Sequence, residues 1–150
     1  GEILRALVLA EHPKRIIEFG TAYGLSGLYL ASGFNGNGGS MVSIEFNPEV
    51  AEVAQKNFDD AQLPVQVLAG KIEDVVQTLD GKFDMVFLDA NKDGYLRQLL
   101  AGQHLWHRGT IIVADNVKDR ASEMQDFLSY IDKFPHFVFD TECGLLIARI

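Results

Sequence analysis

The segment Arg15-Ile16-Ile17-Glu18-Phe19-Gly20-Thr21-Ala22-Tyr23-Gly24-Leu25-Ser26-Gly27 decides how the rest of the chain is read. Residues 15–19 form a short, mostly apolar run that reads as a buried strand, and the glycines after it read as a turn into a helix over 24–32. Upstream, Ile3, Leu4, Leu7 and Val8 recur at helical spacing until Pro13 ends the pattern. Downstream the strand–helix alternation continues. Strands are predicted at 41–44, 65–68, 83–88 and 110–114, with helices at 49–59, 72–79, 95–103 and 121–133. Pro48 stands where the first turn of a helix accepts it. FDMVFL and TIIVA are apolar almost throughout, as strands covered on both faces must be. Strands separated by helices build βαβ units, so the chain is expected to be α/β with a parallel sheet. The last two strands, 137–139 and 145–150, have no helix between them and are expected to pair antiparallel.

At 150 residues the chain suits one domain, since two would each fall near the lower limit for a core. Its 13 Lys and Arg against 21 Asp and Glu give a net charge of −8, which argues against binding a phosphate backbone non-specifically. The single cysteine, Cys143, excludes an internal disulfide and a Cys-based zinc site. No run approaches the roughly 20 apolar residues of a membrane helix, and no signal peptide is evident. A cytoplasmic protein is expected. The chain opens at Gly1 already inside a helical pattern, so N-terminal residues are expected to be missing.

Glycines between a strand and a helix let a ligand approach the backbone. Gly20, Gly24 and Gly27 are spaced four and then three, not the two and then three of the dinucleotide fingerprint, and no lysine holds a phosphate-loop position. That spacing disfavours an NAD-dependent oxidoreductase. Glu18 would repel a pyrophosphate and attract an ammonium group. The second strand runs into Ile44-Glu45-Phe46-Asn47-Pro48, where an acid can accept hydrogen bonds from ribose hydroxyls. A ligand with a ribose and an amino-acid ammonium but no phosphate satisfies both acids, and S-adenosylmethionine is such a molecule. Taken singly, Gly20 and Gly24 also read as plain turn residues, and Glu45 as a cap for the next helix.

The fourth strand ends in Leu88-Asp89-Ala90-Asn91-Lys92 and the fifth in Val113-Ala114-Asp115-Asn116. Ligands of open α/β sheets bind outside the carboxyl ends of the strands. Asp89, Asp115 and Asn116 would there offer oxygen ligands to a hard cation, Mg²⁺ first. Beside that cation Lys92 would be disfavoured as an ammonium and could take a proton from an acidified hydroxyl. The alternative for each aspartate alone is a strand-end residue capping the next helix.

The segments IIEFGTAYGLSGLYLA, VSIEFNPEVAEVAQKNF, FDMVFLDANKDGY and GTIIVADNV, with GLLIARI closing the chain, resemble the metal-dependent class I O-methyltransferases, the group of catechol O-methyltransferase and caffeoyl-CoA O-methyltransferase. The resemblance implies a Rossmann-like class I methyltransferase fold, a seven-stranded, mostly parallel sheet with an antiparallel last strand. It implies a single methyltransferase domain without the N-terminal helices that cover the site in that family. It implies that Glu18, Gly20, Thr21 and Ser26 hold the methionine part of S-adenosylmethionine, that Glu45 binds the ribose and that Ile72 lies beside the adenine. Asp89, Asp115 and Asn116 would bind Mg²⁺ or another divalent cation, with Asp89 also close to the cofactor, and Lys92 would be the general base. The implied acceptor is a small hydroxylated molecule with vicinal oxygens, such as a catechol, and a homodimer is left open. The pattern departs from the family at Asn91, where many relatives carry Asp. It departs again at Cys143, where relatives often carry an acid before the glycine. The glutamate that holds the second catechol hydroxyl falls at Phe137, with Glu142 nearby. Related bacterial proteins act on a hydroxylated tRNA base, and a cofactor-binding module without turnover is the reading from another class.

Other residues read as structural. His104 and His107 are one turn apart but have no carboxylate near in sequence. His12 and His136 neighbour prolines and read as loop residues, Cys143 as a small core residue, and Lys118 and Arg120 as solvated charge.

Overall fold

Adjacent residues of a strand point to opposite faces of its sheet. Ile16 and Ile17 are both fully buried and divide in this way between two apolar clusters. The computed structural model describes residues 1–150 and explains why both faces are apolar: each is covered by helices. The elements in chain order are α1 (Glu2–Glu11), β1 (Arg15–Phe19), α2 (Leu25–Ser32), β2 (Ser40–Glu45), α3 (Pro48–Asp60), β3 (Val65–Ala69), α4 (Ile72–Val75), β4 (Phe83–Leu88), α5 (Tyr95–Ala101), β5 (Trp106–Ala114), α6 (Gln125–Ile131), β6 (His136–Phe139) and β7 (Leu145–Arg149). One cluster joins Leu4 and Val8 of α1, Leu30 of α2 and Phe58 of α3 to the sheet; the other joins Ile72 of α4, Tyr95 and Leu99 of α5 and Phe127 of α6. No helix is long and apolar enough to cross a membrane.

The sheet has seven strands in the order β3-β2-β1-β4-β5-β7-β6. β1 to β5 are parallel to their neighbours, while β7 runs antiparallel to both β5 and β6. This is the expected α/β, mostly parallel sheet with an antiparallel last strand. The register sets Phe19 beside Leu88, and Leu88 beside Ala114, so the loops after β1, β4 and β5 begin at one level.

Element ends differ from the sequence reading in several places. The helix expected at 72–79 is a turn of α-helix followed by a 3₁₀ turn at Val76–Thr78, where the β-branched Val75 and Val76 are stiff against the preceding turn. The helix expected at 121–133 is a 3₁₀ turn at Ala121–Glu123 and then α6 from Gln125; the Arg120–Glu123 ion pair closes the first of these. β5 starts at Trp106 rather than 110, because Trp106 pairs with Phe83 across a register shift between Phe83 and Met85. His136, expected in a loop, begins β6.

The start of α2 is packed against α3. A Cβ on Gly27 would lie 2.7 Å from Phe58 Cζ and 3.0 Å from Glu18 Oε2. Gly27→Ala should therefore cost about 1–3 kcal/mol of stability through overpacking, despite the roughly 1 kcal/mol by which a helix prefers alanine to glycine. Phe58→Leu in the same chain should recover part of that loss. Urea midpoints for the two single variants and the double variant test this; strictly additive losses would contradict the contact.

Candidate active site

The loops after β1, β3, β4 and β5 each start by donating a backbone N–H to the last carbonyls of a neighbour. Gly20 N donates to Ile44 O (3.0 Å), Gly70 N to Glu45 O (2.8 Å), Asp89 N to Phe19 O (2.9 Å) and Asp115 N to Leu88 O (3.1 Å). The loops stay side by side and frame a cleft of about 1090 Å³. Gly20 has φ +95°, and a Cβ on it would lie 2.7 Å from the Asp89 carbonyl oxygen, so only glycine lets the first loop cross the end of β4 this closely.

Of the residues expected at the site, Gly20, Thr21, Ser26, Glu45, Ile72, Asp89 and Asp115 line this cleft, and Glu18, Lys92 and Asn116 do not. Glu18 is fully buried beneath the glycine loop. Its carboxylate accepts hydrogen bonds from the hydroxyls of Ser26 and Ser43, and Ser43 in turn meets Thr21 Oγ1 at 2.6 Å. Burial pushes the Glu18 carboxyl up to about 7, against the pull of the Ser26 and Ser43 hydrogen bonds. Glu18 thus shapes the loop from below. Ser43 was missed by sequence reading, although it is the one polar residue inside the Met41-Val42-Ser43-Ile44 run.

Glu45 does not cap α3; Asn47 does, accepting from Glu49 N at 2.9 Å. The Glu45 oxygens take Ala22 N (2.9 Å) and Asn47 N (3.0 Å), which fixes the carboxylate at the cleft wall with lone pairs left over. Phe46 follows it, 70% exposed, and shares the cleft with Ile72, so an apolar slot adjoins the acid. A ribose with an attached flat base fits that arrangement.

Lys92 sits behind Asp89, its side chain 11% exposed. Its Nζ donates to Asp89 Oδ1 (2.6 Å) and to Tyr95 Oη (2.9 Å). Tyr95 is fully buried and donates to Leu88 O (2.8 Å), joining the lysine to the end of β4. Burial raises the Asp89 carboxyl above its ordinary value, with Lys92 opposing and Asp115 adding to the shift. Asp115 Oδ1 accepts from Asn116 N at 2.8 Å, and Asn116 adopts φ +64°. No three His, Cys, Asp or Glu side chains converge anywhere. Two carboxylates with one amide oxygen, and no sulfur or imidazole, suit Mg²⁺, which takes few protein ligands and completes its shell with water and substrate.

The remaining residues fall elsewhere. Phe137 lines a second cleft of about 680 Å³ with Leu7 and Ile147. Glu142 is exposed in the β6–β7 connection. Cys143 is part-exposed in that connection, not a core residue, and its carbonyl accepts from Lys118 N at 2.9 Å. Burial raises its thiol, as do Asp119 and Asp115. His104 meets Val76 O (3.1 Å) and His107 meets Asp84 Oδ1 (3.0 Å), so the two histidines serve separate partners. Lys118 and Arg120 pair with Asp140 and Glu123 at the surface.

The sequence profile of a family described as O-methyltransferase matches residues 1–126. The chain is 39% identical over 123 residues to catechol O-methyltransferase of Niastella koreensis, covering 78% of this chain and 55% of that protein. It is 33% identical over 140 residues to catechol O-methyltransferase of Mus musculus, covering 87% and 52%. The chain therefore spans about half the length of these curated relatives. Among solved structures it is similar to an O-methyltransferase from Bacillus cereus in complex with SAH, with a TM-score of 0.90 and 26% identity over 99% of this chain and 79% of that one.

Because the folded chain holds Glu18 protonated more readily than the unfolded chain does, Glu18 contributes stability that is complete below its ordinary value of 4.5 and lost as pH rises through about 7. Glu18→Gln removes that dependence and keeps a partner for each serine. Its stability relative to the parent should rise by roughly 1–3 kcal/mol between pH 4.5 and pH 8. Urea midpoints at the two pH values measure this, and a difference that does not change with pH would contradict a Glu18 carboxyl raised by burial.

Proposed function

The chain belongs to the O-methyltransferase family, and from that premise we propose that it carries the methyl group of S-adenosylmethionine to a hydroxyl of a small catechol-like acceptor with vicinal oxygens, using Mg²⁺. The observation that carries this reading is one cleft shared by Glu45, Asp89 and Asp115 at the carboxyl ends of parallel strands. When bound, S-adenosylmethionine supplies an electrophilic methyl group and Mg²⁺ supplies charge that acidifies a hydroxyl.

The chain's own residues do the positioning. Glu45 accepts the ribose hydroxyls with the lone pairs that Ala22 N and Asn47 N leave free. Phe46 and Ile72 hold the base, and the backbone at Gly20 and Thr21 forms the floor under the methionine part. Asp89, Asp115 and the Asn116 amide oxygen would hold the cation, whose charge would act beside the acceptor hydroxyl. Lys92 is the residue placed to take the acceptor's proton. Its Nζ is 2.6 Å from Asp89 Oδ1, beside the acids proposed to hold the cation.

Methyl transfer to catechol, followed with and without Mg²⁺, tests the proposal. Asp115→Ala should abolish Mg²⁺-dependent turnover and leave S-adenosylhomocysteine affinity within about threefold, because Asp115 serves the cation rather than the nucleoside. Lys92→Met should lower kcat by about 10²- to 10⁴-fold, the usual worth of a general base. Undiminished turnover in Asp115→Ala would overturn the metal assignment.

A further inference from the structure

Gln98 is a wall residue of the cleft to which the reading above gives no task. It lies on α5, one turn beyond Gly94, and is only 4% exposed. Its Oε1 is enclosed and has no hydrogen-bond partner. The only other buried side-chain atom in that condition is Asn37 Nδ2, in a surface loop that lines neither cleft. Leaving a buried carbonyl unpaired costs about 1–3 kcal/mol, and an unpaired group in a ligand cleft points to a partner that arrives with the ligand.

The surroundings leave this buried carboxamide oxygen without a protein partner. A Cβ on Gly94 would lie 2.8 Å from Gln98 Nε2 and 3.1 Å from Arg97 Nη2, so any larger residue there would displace it. The neighbouring cation does not serve it either, since Arg97 Nε is drawn to Glu73 Oε1 at 2.7 Å. The terminal torsion of a glutamine is soft, so Gln98 can turn its oxygen toward the cleft.

Gln98 lines the same cleft as Ile72, Asn91 and the proposed ribose acid Glu45. A carboxamide presents one donor beside one acceptor. The edge of adenine presents an amine donor beside a ring-nitrogen acceptor, so the two are complementary. We propose that Gln98 reads the adenine base, accepting a hydrogen bond from the exocyclic amine and donating one to the adjacent ring nitrogen. Gln98 is then the residue that selects an adenosyl ligand over other nucleosides. This inference rests on the proposed cofactor reading of the cleft.

The test is a calorimetric cycle with two proteins and two ligands. The proteins are the parent and Gln98→Leu. The ligands are S-adenosylhomocysteine and its analogue with hydrogen in place of the adenine amine. Gln98→Leu should weaken S-adenosylhomocysteine by about 5- to 100-fold, the worth of two net hydrogen bonds, and the analogue, which keeps only the ring nitrogen, by about 2- to 10-fold. Leucine fills the same space without an unpaired oxygen, so the variant should fold; Gln98→Met, similar in length, serves in its place if it does not. Equal losses on both ligands, or no loss on either, would overturn the role of Gln98 and leave the cofactor site standing. A parent chain that binds neither ligand would overturn the cofactor reading and this inference with it.

Discussion

A carboxylate buried under a loop governs the rest of this structure. Glu18 ends up fully enclosed, where an ionised acid is costly. Its hydrogen bonds from Ser26 and Ser43 offset that cost and at the same time join three elements. Ser26 belongs to the start of α2, Ser43 to β2, and Glu18 itself to β1. Through Ser43 the network reaches Thr21 in the loop. The glycine loop is therefore held from below while its upper surface faces the cleft. Gly20 completes the constraint, because its loop crosses the Asp89 carbonyl at a distance that excludes a side chain.

The parallel sheet turns that local arrangement into a site. Neighbouring strands end at one level, and the first N–H of the loops after β1, β3, β4 and β5 is committed to an adjacent strand. Glu45, Asp89 and Asp115 are distant in sequence and come from three strands, yet open into one cleft. The helices on both faces leave these ends open. Tyr95 and Lys92 extend the same logic, for the buried phenol joins the lysine to the end of β4 and thereby fixes what stands behind Asp89.

Much of this is readable from residues alone, since the signals are local. Apolar runs on both faces, Pro48 at a helix start and acids at strand ends all follow from patterns a few residues long. What escaped depended on contacts made at long range. A glutamate at the end of a strand looks the same whether it faces a ligand or a serine two strands away, so the position of Glu18 could not be read from its neighbours. Phe137, aligned with an acceptor ligand of relatives, lines the other cleft because β6 pairs with β7 as an edge strand and Phe137 sits opposite Ile147. Gln98 carries no signal in sequence at all. It looks like a polar residue on a helix, and only the packing of Gly94 against it reveals a buried, unpaired oxygen.

The central claim is that the cleft takes an adenosyl amino acid and not a dinucleotide. Calorimetric titration of the chain with S-adenosylhomocysteine and, separately, with NAD addresses it most directly. The account predicts saturable binding of S-adenosylhomocysteine at one site per chain and no heat from NAD at the same concentrations. Binding of NAD with equal or greater affinity, or no binding of S-adenosylhomocysteine, would contradict it.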